Sequence, residues 1–321
     1  MSQFIKPDST LWTGRESDAR SYLHEKVLCT HADILKKTNT QKTVAILGYA
    51  CDEGVLRNQG RIGAVKGPDV IRTQLAKMPN HLNENTQLID VGTVVCEDGD
   101  MEATQKSLSE MTDQLLGKGI LPIVLGGGHD VAYGHFKGLR KHIPKGKSLG
   151  IINFDAHFDL RSNKKRNNSG TPFYQIAQDC QSDNLDFNYL CLGIRKNAND
   201  KILFETADQL KVFYIEEKHF NMHYLEHVQL RLMQFIEDVD HIYTTIDLDG
   251  FSSAFAPGVS AASPMGFSPD IVLECLKLIL DSQKLISLDI AEMNPKYDVD
   301  HQTAKLAASL AHYVIHNSQE G

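Results

Sequence analysis

The stretch Ile151-Ile-Asn-Phe-Asp-Ala-His-Phe-Asp159 decides the fold, because an apolar run ends there in three side chains that can bind a metal. Asp155, His157 and Asp159 stand at alternate positions, and alternate side chains of an extended strand point to the same side. The short apolar run is typical of a buried parallel strand, and open α/β sheets place their active sites at the carboxyl ends of such strands. A surface turn with solvated carboxylates explains this stretch equally well, so the other segments must decide.

The composition is that of an ordinary globular protein with an acidic balance. Of the 321 residues, 41% are hydrophobic and 23% are charged, and the formal net charge is -8. This acidity argues against general nucleic-acid binding, and the short basic run Lys164-Lys165-Arg166 is typical of a solvated loop. No apolar stretch approaches the ~20 residues of a membrane span, and the N-terminus is too polar for a signal peptide. We therefore expect a cytoplasmic protein that acts on a small molecule, without nucleic-acid or membrane partners.

From residue 43 onward, short β-branched or apolar runs alternate with longer helical patterns. This alternation is typical of repeated βα units. It predicts eight strands, near residues 43–48, 87–90, 120–125, 149–154, 188–192, 212–215, 241–246 and 285–290. It also predicts helices near residues 67–72, 101–116, 131–142, 199–209, 224–238, 269–281 and 301–317.

Eight strands that alternate with helices imply a mainly parallel sheet covered on both faces. A closed barrel shows the same alternation, but the irregular loop lengths favour the open sheet. No proline-rich or low-complexity linker interrupts the chain. We therefore predict a single domain over residues 1–321, in which residues 1–41 form an N-terminal arm with one helical piece near residues 19–31.

Three further strand ends carry side chains suited to chemistry. The glycine turn in Leu125-Gly-Gly-Gly-His-Asp130 presents His129, although a satisfied core histidine would look the same. The segment Thr244-Thr-Ile-Asp-Leu-Asp-Gly250 places Asp247 and Asp249 on one side of an extended chain. Two such carboxylates repel each other unless a cation lies between them. In Ser287-Leu-Asp-Ile-Ala-Glu-Met-Asn-Pro295, Glu292 is a candidate for contacting the substrate.

Together these strand ends supply two imidazoles and four carboxylates as candidate metal ligands: His129, Asp155, His157, Asp159, Asp247 and Asp249. Six ligands are too many for one tetrahedral zinc site, but they suit two oxygen-preferring ions bridged by carboxylates. Manganese fits this ligand mixture best. Two ions ~4 Å apart activate water near neutral pH and polarise an electrophile beside it. The sequence therefore predicts metal-assisted hydrolysis.

The motifs Gly126-Gly-Gly-His-Asp130, Asp155-Ala-His-Phe-Asp159, Asp247-Leu-Asp249 and Glu292-Met-Asn-Pro295 resemble those of the ureohydrolase family of arginases, agmatinases and formimidoylglutamases. The resemblance covers the chain from about residue 43 to the C-terminus, and Ala256-Pro-Gly258 belongs to it. It implies a three-layer α/β/α sandwich, two Mn²⁺ ions per subunit, and a homo-oligomer that is a trimer or a hexamer.

The resemblance also implies a role for each matching residue. One ion is expected on His129, Asp155, Asp159 and Asp247, and the other on His157, Asp155, Asp247 and Asp249, with Asp155 and Asp247 as bridges. Glu292 matches the position that pairs with the guanidinium or amidinium group of the substrate.

After the ligand loop, arginases and agmatinases carry a His-Gly pair, whereas this chain reads Ser169-Gly-Thr-Pro-Phe173. That segment resembles formimidoylglutamases, as does Asp52-Glu-Gly-Val55 followed by Arg57-Asn-Gln-Gly-Arg61. Their substrate, N-formimidoyl-L-glutamate, carries two carboxylates, which arginine binds well. We expect Arg161 and Arg195 to bind them, with Arg57 and Arg61 as weaker candidates and Ser169 and Thr171 as hydroxyl donors that could equally cap a turn.

The expected reaction belongs to histidine degradation and yields L-glutamate and formamide. Glu292 would hold the amidinium, and Asp159 would carry a proton to the departing amine, because the usual nearby histidine is missing. One alternative is an arginase or another guanidino-acid ureohydrolase, which also binds a carboxylate. A second alternative is a catalytically silent family member, although all six expected ligands and Glu292 are present.

Overall fold

The structure, a computed structural model, describes residues 2–35 and 42–318. Its strands are β1 (Ser2–Ile5), β2 (Leu28–Cys29), β3 (Lys42–Ala50), β4 (Thr86–Cys96), β5 (Ile120–Leu125), β6 (Leu149–Phe154), β7 (Asn188–Ile194), β8 (Phe213–Glu216), β9 (His241–Asp247) and β10 (Leu285–Ala291). Its α-helices are α1 (Glu53–Arg57), α2 (Gly67–Leu75), α3 (Met101–Gly117), α4 (Val131–His142), α5 (Pro172–Ser182), α6 (Lys201–Gln209), α7 (Leu225–Glu237), α8 (Pro269–Asp281) and α9 (Gln302–Asn317).

The strands form one open sheet in the order β1-β4-β3-β5-β10-β9-β6-β7-β8, and β2 also pairs with β4. The pairings are parallel except for that of β1 with β4. The predicted mainly parallel α/β fold is therefore confirmed, and each of the eight predicted strands is present. The described part of the sheet has ten strands because the N-terminal arm adds β1 and β2.

The arm follows the surface differently from the prediction. The helical piece expected near residues 19–31 is wrong, since that range contains a 3₁₀ turn at Leu23–Glu25 followed by β2. Leu23 is fully buried, and its backbone N–H donates to the carbonyl of Met78 rather than to a helical neighbour. Tertiary contacts thus take up the backbone groups that a helix would pair. Residues 36–41 of the predicted arm lie outside the described residues.

Two helices were absent from the prediction, and both lie beside the site. Residues 53–57, to which the prediction assigned no helix, form α1, and α5 begins at Pro172. Proline suits the first helical turn, because its missing N–H would lack a partner there anyway. Phe173, Ile176 and Cys180 are buried at helical spacing on α5, so the sequence did contain a signal for this helix.

The sheet brings the four motif-bearing strands together. Strands β5, β10, β9 and β6 are consecutive neighbours, and every residue of β6 is buried. Parallel neighbours end at the same edge of a sheet, so the side chains that follow these strands must converge. Among the described residues, no helix is long and apolar enough to cross a membrane.

Candidate metal and substrate site

The structure brings all six predicted ligands into two overlapping groups at the carboxyl edge of the sheet. One group contains His129, Asp155, Asp159 and Asp247, and the other contains Asp155, His157 and Asp249. Within each group, the candidate ligand atoms lie within 4.8 Å of one another. Imidazole nitrogens mixed with carboxylate oxygens form a donor set suited to divalent ions such as Mn²⁺. Each group could therefore hold one ion.

Asp155 joins the two groups through its separate carboxylate oxygens. Its Oδ2 lies 3.2 Å from Nδ1 of His129, and its Oδ1 lies 3.4 Å from Nδ1 of His157. Asp247, the other predicted bridge, has Oδ2 3.0 Å from Nδ1 of His129, while its Oδ1 accepts a hydrogen bond from the backbone N–H of Asp249. The geometry thus gives Asp155 a bridging position and places Asp247 mainly in the His129 group.

The electrostatics of these groups call for a cation. Burial, followed by repulsion from Asp249 and Asp155, raises the pKa of Asp247 well above its ordinary value. Burial would lower the pKa of His129, but its carboxylate neighbours raise it instead. Nδ1 of His129 and Oδ1 of Asp249 are buried and lie 2.9–3.2 Å from oppositely charged or polar side chains of the two groups, but among the described residues neither atom makes a hydrogen bond. Because buried polar atoms are normally paired, these two unpaired atoms fit metal ligation.

The backbone is strained at two of the candidate residues. Asp159 has φ +48° and Glu292 has φ +69°, so both occupy the left-handed region that non-glycine residues rarely adopt. Each such residue costs of order 1 kcal/mol, and such strain concentrates at functional sites. Gly127 serves the same loop differently, because a Cβ there would lie 1.9 Å from the carbonyl oxygen of Cys51. Only glycine permits this approach of the His129 loop to the end of β3.

Glu292 is held at one oxygen and unpaired at the other. Its Oε1 accepts a 2.9 Å hydrogen bond from the backbone N–H of His129, whereas Oε2 is buried without a partner among the described residues. Burial, together with repulsion from Asp249, raises the pKa of Glu292 to about 8. The unpaired oxygen of Glu292 is therefore available to a cationic group of a substrate that lies beside the candidate metal ligands.

A cavity of about 310 Å³ opens over the ligand groups. Its walls combine five of the six candidate ligands and Glu292 with the loop residues Asn58, Arg61, Arg161, Ser169 and Asn199. This volume suits a small molecule. A larger groove of about 580 Å³ lies between β8 and α7, but neither metal-capable group of the described residues borders it. The chemistry therefore belongs to the smaller cavity.

Two of the predicted substrate-binding residues face the cavity with their polar groups available. Arg161 is exposed at the cavity, and among the described residues no hydrogen bond or ion pair engages its guanidinium. Ser169 is nearly buried, and its hydroxyl accepts a 3.2 Å hydrogen bond from Nδ2 of Asn58. Arg161 is thus the cation with freedom to meet an anionic substrate.

The other four predicted substrate-binding residues are engaged or placed elsewhere. Arg61 borders the cavity, but its guanidinium donates to the carbonyls of Val259 and Ser260 and stacks on Tyr297. Arg57 lies outside the cavity wall and pairs with two carboxylates, those of Glu53 and Glu102. The contacts of Arg57 hold α1 against the start of α3, and those of Arg61 hold its loop against residues 259 and 260. Both arginines therefore have a structural role.

Thr171 and Arg195 also lie outside the residues that line the cavity. The hydroxyl of Thr171 lies 2.9 Å from the carbonyl oxygen of Asn168 and 2.8 Å from Oε1 of Gln175, and its one proton can be donated to either of them. Arg195 is buried, with its backbone N–H bonded to the carbonyl of Ala156. Neither side chain therefore contacts the cavity in this structure.

Two asparagines that the sequence analysis did not single out support the ligand loop. Nδ2 of Asn153 donates to Oδ2 of Asp155 at 3.0 Å. Asn199 accepts from the backbone N–H of Phe158 and donates to the carbonyl of Ala156. Asn153 sits two residues before Asp155, so strand alternation could have identified it. The position of Asn199 depends on a long-range contact that has no local signal.

Residues 42–316 match the family model described as the Arginase family. The chain is 44% identical over 310 residues to the formimidoylglutamase of Chromobacterium violaceum, which covers 95% of this chain and 96% of that protein. It also resembles the formimidoylglutamase structure from Bacillus subtilis, with a TM-score of 0.78 and 21% identity over 95% of this chain and 93% of that one. The Trypanosoma cruzi formiminoglutamase structure with Mn²⁺ gives a TM-score of 0.75 and 21% identity, over 90% and 98% of the two chains.

Proposed function

The chain belongs to the arginase family, and from this premise we propose that it hydrolyses N-formimidoyl-L-glutamate to L-glutamate and formamide with two Mn²⁺ ions. The observation that carries the choice of substrate is the unengaged guanidinium of Arg161 at the cavity that contains the ligand groups. Agmatine has no carboxylate for such a cation to bind. The name of the C. violaceum relative supports the same substrate.

The residues that would hold the ions are the two overlapping groups. His129, Asp155, Asp159 and Asp247 form one site, and His157, Asp155 and Asp249 form the other, with Asp247 as the second expected bridge. When bound, such a pair of ions supplies activated water near neutral pH and polarises the electrophile. The donor set and the T. cruzi structure with Mn²⁺ both support manganese.

Glu292 would orient the reacting end of the substrate. Its Oε2 has no protein partner among the described residues, and its Oε1 is fixed by the backbone of His129. An amidinium group offers paired N–H donors, and charge-assisted hydrogen bonds to a carboxylate are strong in a buried site. Glu292 would therefore hold the formimidoyl group beside the ligand groups.

The opposite end of the substrate would lie at the loops. Arg161 would pair with a carboxylate of the glutamate portion, and Ser169 would add a hydroxyl donor. Asp159 lines the cavity, and its Oδ2 lies 2.9 Å from Nδ1 of His129. That position supports Asp159 as both a ligand and the carrier of a proton to the departing amine.

A substrate panel with added Mn²⁺ tests the proposal directly. N-formimidoyl-L-glutamate, arginine, agmatine and guanidinobutyrate are compared, and glutamate, formamide and urea release are measured. We expect turnover of N-formimidoyl-L-glutamate with formamide release. Turnover of arginine alone would overturn the substrate assignment while leaving the family membership intact.

The wider setting is part of the proposal. The products place the reaction in histidine degradation, and we propose a cytoplasmic homo-oligomer, either a trimer or a hexamer. Light scattering coupled to size-exclusion chromatography measures the assembly. A monomeric mass at working concentrations would contradict the oligomer.

A further inference from the structure

A buried chain of polar contacts runs behind His129, on the side of the ring away from the carboxylates. Nε2 of His129 lies 3.0 Å from the hydroxyl of Thr245. The Thr245 hydroxyl lies 2.5 Å from Oδ1 of Asp289 on the neighbouring strand β10. Thr245 and Asp289 face each other in the register of β9 and β10, and both are fully buried.

The direction of each hydrogen bond in this chain follows from the available donors and acceptors. A carboxylate only accepts, so the single hydroxyl proton of Thr245 points to Asp289. The Thr245 oxygen can then only accept from His129, which requires a proton on Nε2. A neutral imidazole with its proton on Nε2 has its lone pair on Nδ1. That nitrogen faces Asp155, Asp159 and Asp247 at 2.9–3.2 Å.

Asp289 also contacts two further side chains. Nδ1 of His135, on α4, lies 2.5 Å from Oδ2 of Asp289, and the hydroxyl of Tyr243 donates to the same oxygen. The far nitrogen of His135 lies 2.7 Å from the hydroxyl of Ser287, which donates to the carbonyl of Pro122. The carboxylate of Asp289 is thus fixed from two elements and presents one oxygen to Thr245.

We propose that Asp289 is a positioning residue for the metal centre, acting through Thr245 to hold His129 with its proton on Nε2 and its Nδ1 lone pair toward the carboxylates. The inference rests on the metal centre of the proposed function, but not on the identity of the substrate. Partners of this kind fix the tautomer and orientation of a ligating histidine. The carboxylate here acts through a hydroxyl, one step beyond direct contact with the imidazole.

The same strand provides a matched control. Thr244 is also fully buried, but it points to the other face of β9, and its hydroxyl has no hydrogen-bond partner among the described residues. Replacing either threonine with valine exchanges a hydroxyl for a methyl group of similar size. Thr245→Val removes the link to His129, whereas Thr244→Val removes a hydroxyl that links to nothing.

The primary experiment measures Mn²⁺ bound per chain against free Mn²⁺, by equilibrium dialysis with metal analysis and without substrate. We expect Thr245→Val to weaken binding of one of the two ions by about 10- to 100-fold. Thr245→Ser restores the hydroxyl and should bind within about threefold of the natural protein, as should Thr244→Val. Asp289→Asn should weaken the same ion, because an amide can present an N–H to Thr245 and reverse the hydrogen-bond direction.

A second measurement follows the Nε2 proton of His129 in the metal-free protein, so that it is independent of metal binding. Long-range ¹H–¹⁵N correlations of histidine-labelled protein should show a proton on Nε2 of His129 that exchanges slowly with solvent, and faster exchange of that proton in Thr245→Val. Thermal unfolding of the metal-free variants identifies any that fail to fold. Asp289→Asn is the variant with the greatest risk of misfolding, because it also disturbs His135 and Tyr243. If it fails to fold, Thr245→Val and Thr245→Ser still test the proposal.

Each outcome has a definite meaning. Two ions bound with natural affinity by Thr245→Val, or failure of Thr245→Ser to restore binding, would overturn the positioning role while leaving the proposed function standing. Turnover of a different substrate would overturn the proposed function while leaving the positioning role standing. Absence of Mn²⁺ binding in the natural protein would overturn both.

Discussion

The floor and the mouth of the cavity are built on different principles. The floor consists of the six candidate ligands, which lie at or just beyond the ends of three strands of the sheet, β5, β9 and β6. The mouth consists of Asn58, Arg61, Arg161 and Ser169, which lie on loops and at the end of α1. In the floor, the six predicted side chains come together in two groups, and within each group the ligand atoms lie within 4.8 Å of one another. In the mouth, one of the two predicted arginines, Arg61, donates its guanidinium hydrogen bonds to backbone carbonyls of the protein and is not free to bind a substrate.

The difference follows from what holds each region. Strand neighbours are fixed by backbone hydrogen bonds every few ångströms, so the carboxylates cannot relax away from one another. Arginines on loops reach many carbonyl and carboxylate groups, and the contact that each makes depends on distant segments. We therefore expect floor substitutions to affect metal binding and the chemical step. Mouth substitutions should affect substrate affinity or stability.

The largest effect should come from Asp247→Ala in the floor. Its loss removes a ligand from the His129 group, so Mn²⁺ content and turnover should fall together, with kcat lower by at least about 1,000-fold. Metal analysis and steady-state kinetics measure the two quantities. Without metal, the variant should unfold at a temperature at least as high as that of the metal-free natural protein, because one of several buried carboxylates that repel each other is gone. Full turnover in this variant would contradict the proposal that Asp247 is a ligand of a two-metal centre.

Glu292→Gln tests the boundary between the two regions. The amide oxygen can still accept from the backbone of His129, but the charge that would pair with the amidinium is lost. We expect kcat/KM to fall by about 100-fold, as removal of one partner of a buried ion pair costs a few kcal/mol. Mn²⁺ content should be unchanged. If Mn²⁺ content falls with activity, Glu292 belongs to the floor and its substrate role is wrong.

The sequence could predict the floor because its information is local. Buried parallel strands require apolar runs, which made each of the eight predicted strands visible, and the alternate spacing of Asp155, His157 and Asp159 put their side chains on one side. The order of the strands is not local. Nothing in the sequence alone says that β10 lies between β5 and β9, which is what brings Asp289 opposite Thr245.

The mouth could be predicted only in part, for the same reason. Arg57 binds Glu102, 45 residues away in the chain, and Arg61 binds the carbonyl of Val259, 198 residues away. A sequence pattern shows that an arginine is near the site but does not show which acceptor it meets. Helix α1 was hidden as well, because five residues are too few for a helical period to stand out.

Arg161 and Arg57 provide a direct contrast within the loops. Arg161→Ala should raise KM for N-formimidoyl-L-glutamate about tenfold with little change in kcat, since an exposed guanidinium contributes roughly one charged hydrogen bond. Arg57→Ala should instead lower the free energy of unfolding by about 2 kcal/mol, because it leaves the nearly buried Glu53 with only the exposed Arg166 as an ion-pair partner. Steady-state kinetics and thermal unfolding of both variants decide. A raised KM in Arg57→Ala with unchanged stability would reverse the two assignments.

The smallest effect should come from the basic run beside the mouth. Lys164 and Lys165 are exposed on a groove that also contains Arg161. Because the whole chain carries a net charge of -8, these local cations would offset its repulsion of a dianionic substrate. Replacing both with alanine should lower kcat/KM about two- to fivefold at low ionic strength, leave kcat unchanged, and lose its effect at high salt.

Lys141→Ala with Lys145→Ala is the matched control for that double variant. It removes the same charge at the carboxyl end of α4, about 18 Å along the helix axis from the His129 loop. Both double variants are compared at about 0.1 M ionic strength, where the Debye length is roughly 10 Å, so the more distant control should leave kcat/KM unchanged. An equal loss in both double variants would mean that net charge alone acts on the substrate. Lys164 and Lys165 would then have no local effect on the substrate, and Arg161 would be the one residue of the mouth with evidence for substrate binding.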